Sequence, residues 1–205
     1  MVVSGIVPQT AVGISIPGKA MSEFSKSRII YNLERTRVLS LQMIERVPHD
    51  QWFEMPTGVT HVAWQVGHMA IAGYFLGLLL VRGAHDGDEE LIPGEYRDLF
   101  GYGSQVSGDA ADYPSPPDLL SVLASVHEQT LTETRAMPDE VLDESVVFDD
   151  PQFDHHPIFD LKGGSLEWLA FHEHIHIGSI GLLRRELGAA PVEYLEESRA
   201  GTKFV

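Results

Sequence analysis

His172 and His176 stand four residues apart within the segment 168–178. At that spacing on a helix two side chains leave from the same side, with Cβ atoms about 5–6 Å apart. Two imidazoles so placed can chelate one borderline metal ion through bonds of about 2.0–2.1 Å. Ten histidines in 205 residues supply about half of one such pair by chance. Spacing alone therefore leaves two readings open, a metal site and ordinary core histidines. The surroundings add weight to the metal. Leu166, Leu169, Glu173, His176, Ile180, Leu183 and Leu187 share one 3.6-period face, with His172 at its edge, and an apolar inward stripe is a costly place for an unpartnered polar ring. His68 is the candidate third ligand. It lies mid-stripe on another helical face, with His61, Trp64, Gln65, Ala72, Phe75 and Leu79.

Three further residues need weighing against plainer roles. His174 is two residues from each member of the pair, about 200° around the helix, and cannot share their ion. Glu173 is a candidate for orienting a ligand or acting as a base, set against a packed or salt-bridged role. His61, two turns before His68, is a candidate for lining the pocket beside the metal.

The elements that must position these residues are helical. A first helix is expected from Ser22 to about Arg46, stopped by Pro48. The second runs from about Thr60, as N-cap, to Arg82, with Gly83 as the stop; Gly67, Gly73 and Gly77 along it point to close helix–helix approach. Trp52 and Phe53, between the two, read as a hydrophobic plug. Ser115, Pro116 and Asp118 open a third helix that ends near Met137, before Pro138. Ser165 reads as the N-cap of the fourth, which Gly188 ends after Arg184 and Arg185. Four helices with one buried stripe each predict an all-α four-helix bundle. The long loop between helices 2 and 3, residues 83–115, carries a short helical turn near 95–100 and reads either as a lid, pocket wall or oligomer contact or as a solvated loop. Residues 1–20 read as a disordered extension, 21–192 as the bundle and 193–205 as a tail. His155 and His156 sit in a loop.

Composition bounds the function. The length fits one domain with a substantial core. Net charge is −16, from 14 basic and 30 acidic residues; a field of that sign repels phosphate backbones, so no nucleic-acid partner is expected. The chain has no cysteine, which rules out disulfides, thiolate ligands and a cysteine nucleophile, and fits a cytoplasmic setting. The apolar run Met69–Val81 is short and glycine-interrupted, so it reads as a core helix and no membrane contact is expected.

With these residues in place the chain resembles the DinB/YfiT-like superfamily of metal-binding bundles. The resemblance rests on WQVGH at 64–68 and HEHIHIGSIGLLRRELG at 172–188, and covers roughly 22–191. Where family members often carry Gln after the glycine, this chain has Ser179. The resemblance implies a three-histidine site, His68, His172 and His176, with open coordination positions for water or substrate. It also implies a divalent metal ion, Zn or Ni first and Mn or Fe as further candidates, and a small-molecule substrate. The activities implied are thiol S-transfer with a low-molecular-weight thiol, or hydrolysis; the alternative is a non-catalytic metal-binding or stress-response bundle. A homodimer is expected from the resemblance and from the apolar, glycine-spaced second helix.

Overall fold

α1 spans Lys26–Ile44 and buries Ile29, Leu33, Thr36, Arg37, Ser40, Met43 and Ile44, the i, i+3/i+4 series of one face. α2 spans Val62–Tyr74, passes through a π-helical stretch at Phe75–Leu79 and ends in one further turn, α3, Leu80–Arg82. Two short helices, α4 (Asp88–Leu91) and α5 (Tyr96–Phe100), interrupt the long connection. α6 spans Pro116–Ala136 and α7 spans Lys162–Glu186. The computed structural model describes residues 24–147 and 159–191. The N-terminal extension, Ser22, the His155/His156 loop and the tail fall outside them. Among the described residues there is no strand beyond an isolated bridge between Ser145 and Leu161. The fold is the all-α four-helix bundle expected.

Contacts along the helices fix their directions. Phe24 meets Gly163, Arg37 meets Glu173 and Met43 meets Gly181, so α1 and α7 run parallel. Gly73 meets Val126, Gly77 meets Thr130 and Arg82 meets Glu133, so α2 and α6 are also parallel. Gln65 meets His176 while Leu76 meets Ser165, which sets α2 antiparallel to α7. This arrangement explains the length of the connection after α3. To start α6 beside and parallel to α2, the chain must travel back along a helix of about 30 Å, and residues 83–115 make that journey.

The helix starts differ from the sequence expectation in three places. α1 begins later than expected, at Lys26 with Ser25 as N-cap. Thr60 does not cap α2. His61 does, its Nδ1 accepting from the backbone N–H of Trp64 at 3.0 Å, while the Thr60 hydroxyl accepts from Gln65 Nε2. Ser165 does not cap α7, which begins three residues earlier at Lys162 with Leu161 as N-cap. Ser165 is fully buried and donates to the carbonyl of Leu76 at 2.8 Å, inside the π-helical stretch, where i→i+4 pairing is interrupted. Gly163 and Gly164 lie within the helix, and a Cβ on Gly163 would run into the ring of Phe24.

Two apolar clusters fill the bundle. One gathers Ile44, Val47, Trp52, Val62, Val66, Phe100, Leu119, Leu123 and Ile180; the other holds Ile29, Leu33, Leu80, Leu131, Leu142 and Leu166. Trp52 is the expected plug, fully buried with its indole N–H on the carbonyl of Val47 at 3.0 Å. The glycines of α2 are spent inside the bundle: Gly67 faces the Phe100 ring, Gly73 faces Val126 and Gly77 faces Thr130 and Leu169. Counted as one unit, Val62–Arg82 is long and apolar enough to cross a membrane by length and composition. Burial inside the bundle accounts for that apolarity here, 61% of the window being covered.

Candidate metal centre

α2 carries His68 and the antiparallel α7 carries His172 and His176, so the three rings meet between the two helices. Their Nε2 atoms converge. His172 Nε2 lies 3.3 Å from His68 Nε2 and 3.3 Å from His176 Nε2, and the three ligand atoms lie within 4.8 Å of one another. A metal–nitrogen bond of about 2.0–2.1 Å in tetrahedral geometry separates neighbouring ligand atoms by about 3.3–3.4 Å. Two of the three pairs stand at that separation and the third lies within 4.8 Å, a donor set that suits a divalent ion.

Their protonation fits as well. Burial pushes the pKa of His176 down to about 3 and that of His172 to about 4, with the neighbouring imidazoles adding to the effect. Burial also holds His68 below its ordinary value. Neutral imidazole is the form that ligates. The far nitrogens of two rings are held: His68 Nδ1–H donates to the carbonyl of Phe100 at 2.6 Å, and His176 Nδ1 is 2.6 Å from Gln65 Oε1. A carbonyl only accepts, so the His68 proton sits on Nδ1 and its Nε2 lone pair faces the cluster. His172 Nδ1 is buried and meets no hydrogen-bond partner among the described residues.

The long connection forms one wall. Trp64 stacks on His68 at 4.7 Å and 15°, and its indole N–H donates to Ser104 Oγ at 3.0 Å. The Phe100 carbonyl closes α5 against the same ring. Residues 83–115 thus pack against the His68 side of the cluster. Phe171 and Ile175 flank the pair on α7 and are 60% and 57% exposed.

The other sequence candidates lie elsewhere. Glu173, considered as a base, is buried against α1: Arg37 Nε and Nη2 donate to its oxygens at 2.8 and 3.1 Å, and the Ser40 hydroxyl donates to Oε1. The salt-bridged alternative is the one observed. His61, considered as a pocket residue, has both ring nitrogens engaged, one capping α2 and the other donating to the carbonyl of Ser107 at 3.0 Å. It is fully buried beside Phe53 and Tyr113 and clamps the connection rather than lining the cluster. His174 points away from the cluster, exposed, with Nδ1 2.7 Å from the carbonyl of Ala170. His127 is half-buried, and burial together with the nearby Arg37 pushes it down to about 4. Sequence reasoning passed over Gln65 and the Phe100 carbonyl. Gln65 carried a signal, a polar residue on the buried stripe three positions before His68; a backbone carbonyl from a distant turn carries none.

Known proteins bear on this arrangement in two ways. The family model described as the DinB superfamily matches residues 32–180. YfiT from Bacillus subtilis, described as a probable metal-dependent hydrolase with an unusual four-helix bundle topology, has a similar structure, with a TM-score of 0.56 and 18% identity. The match covers 87% of this chain and 97% of that one. No curated protein matches by sequence.

Proposed function

This chain belongs to the DinB superfamily, and we propose that it is a divalent-metal-binding protein whose centre is His68, His172 and His176, acting as a hydrolase or a thiol S-transferase on a small molecule. The observation that carries this is the convergence of three neutral Nε2 atoms at the spacing of metal ligands. An ion bound there keeps its full charge and supplies Lewis acidity, lowering the pKa of a coordinated water or thiol. Zn or Ni are the first candidates, because borderline ions suit imidazole; Mn or Fe follow.

The chain's own residues bind and orient. The Phe100 carbonyl and Gln65 hold two of the rings, and Trp64 covers a face of His68. The carboxylate nearest in sequence, Glu173, is neutralised by Arg37 and so leaves the charge of a bound ion uncompensated. The description of YfiT supports hydrolysis; the resemblance drawn from the motifs supports thiol transfer, for which the thiol is a co-substrate and the lack of cysteine no obstacle. A cytoplasmic setting and the absence of nucleic-acid and membrane partners belong to the same proposal.

The test is turnover by the metal-loaded protein on ester and amide panels, and on electrophiles supplied with several low-molecular-weight thiols. Activity that disappears on chelation and returns with metal is expected. Full metal loading with no turnover on any panel would favour a non-catalytic metal-binding or stress-response bundle.

A further inference from the structure

His176 reaches the cluster through Nε2, so a metal there needs the ring proton on Nδ1. The group that faces Nδ1 is the side chain of Gln65, buried on α2 at 4% exposure, with Oε1 at 2.6 Å. A side-chain amide can offer an imidazole either its acceptor or its donor, and the two choices place the ring proton on opposite nitrogens. Thr60 bears on the choice. Its hydroxyl accepts from Gln65 Nε2 at 3.0 Å, and Oε1 is the amide atom that faces His176.

We propose that Gln65, oriented by Thr60, is a positioning residue that fixes His176 in its Nδ1–H form and thereby presents the Nε2 lone pair to the metal. The inference rests on the reading of the three histidines as a metal site. His68 receives the same service from the Phe100 carbonyl, a backbone group that no substitution deletes, so Gln65 is where the idea can be tested by mutation. Outer partners of this kind raise ligand basicity and hold ring orientation, and their loss costs about 10–100-fold in metal affinity. A glutamine present only for packing behaves differently. Leucine would then serve nearly as well, and a buried glutamate would be the worse replacement.

Three variants of the full chain separate the two: Gln65→Leu, Gln65→Glu and Thr60→Val. The first readout needs no metal. Long-range proton–nitrogen NMR of the metal-free imidazoles reports which nitrogen of His176 is protonated. The Nδ1–H form is expected in the parent and in Gln65→Glu, because a carboxylate only accepts. Gln65→Leu is expected to admit the Nε2–H form, and Thr60→Val to do so partially. The second readout is Zn²⁺ affinity, measured by competition with a chromophoric chelator. Gln65→Leu is expected to lose about 10–100-fold, Thr60→Val less, and Gln65→Glu nothing. An unchanged His176 tautomer in Gln65→Leu, or an affinity loss in Gln65→Glu as large as in Gln65→Leu, overturns the proposal. Should Gln65→Leu fail to fold, an unchanged tautomer and affinity in the near-isosteric Thr60→Val overturns it as well. A tautomer shift in chains that never bind Zn²⁺ would sink the metal reading while supporting the role of Gln65 in setting the tautomer.

Discussion

Gly67 lies beneath the ring of Phe100, so close that a Cβ at 67 would come within 2.5 Å of the ring's Cε1. The carbonyl of Phe100 in turn holds His68, one residue further along α2. Packing and site are therefore joined. Gly67→Ala should force the Phe100 ring and α5 outward, at about 1–3 kcal/mol of overpacking, and loosen the bond that orients His68. The expected result is a lower denaturation midpoint together with weaker metal binding. A destabilised variant with unchanged metal affinity would show that α5 does not serve the site.

The buried Arg37–Glu173 pair should be structural. Arg37→Met strands a carboxylate in the core and should cost about 3–5 kcal/mol, read from chemical denaturation, with metal stoichiometry intact. Burial alone would raise the Glu173 pKa, but Arg37 and Ser40 outweigh it and hold the carboxyl below its ordinary value. The pair's contribution is thus complete above the unfolded pKa of about 4.3 and fades as pH falls through the lower folded value. A loss of metal in Arg37→Met at full folding would assign the pair to the site instead.

How much of this was legible in the sequence depends on whether a feature is periodic. The inward stripes of α2 and α7 placed His68, His172 and His176 on facing sides because side-chain direction follows from the 3.6 period. The two caps were misread for a common reason. Ser165 and Thr60 are good cap residues, yet their hydroxyls answer tertiary demands, the Leu76 carbonyl in one case and the Gln65 amide in the other. His61 caps α2 with a ring nitrogen, a use that propensity does not anticipate. The parallel pairing of α2 with α6 left only an indirect trace, the length of residues 83–115.

Removing the metal should lower the melting temperature without unfolding the protein. An ion that binds only the folded pairing of α2 and α7 contributes about 2.7 kcal/mol when free metal is about 100 times its dissociation constant. Both apolar clusters are complete without it. Chelation followed by circular dichroism should show an intact helical signal at room temperature and an earlier melt. An unfolded metal-free chain would contradict this.

We propose that any homodimer forms through a different face. The α2 glycines are occupied inside the bundle, so they no longer argue for pairing. Tyr31 and Val38 on α1 and Phe171, Ile175 and Leu182 on α7 are each at least half exposed and would be the apolar surface a second copy covers. Light scattering should give twice 22.7 kDa, and Phe171→Asp with Ile175→Asp should return the single-chain mass. A single-chain mass for the parent across a wide concentration range would end the idea.

Metal content per chain, measured without an affinity tag after single substitutions, tests the central claim most directly. His68→Ala, His172→Ala and His176→Ala should each abolish stoichiometric binding, since each removes one of three converging Nε2 atoms and leaves two protein ligands. His174→Ala should bind as the parent does, because that ring points away, toward the carbonyl of Ala170, and His61→Ala should keep the metal while disturbing the cap of α2. Metal lost with His174→Ala but retained with His68→Ala would contradict both the helix phasing and the three-histidine centre.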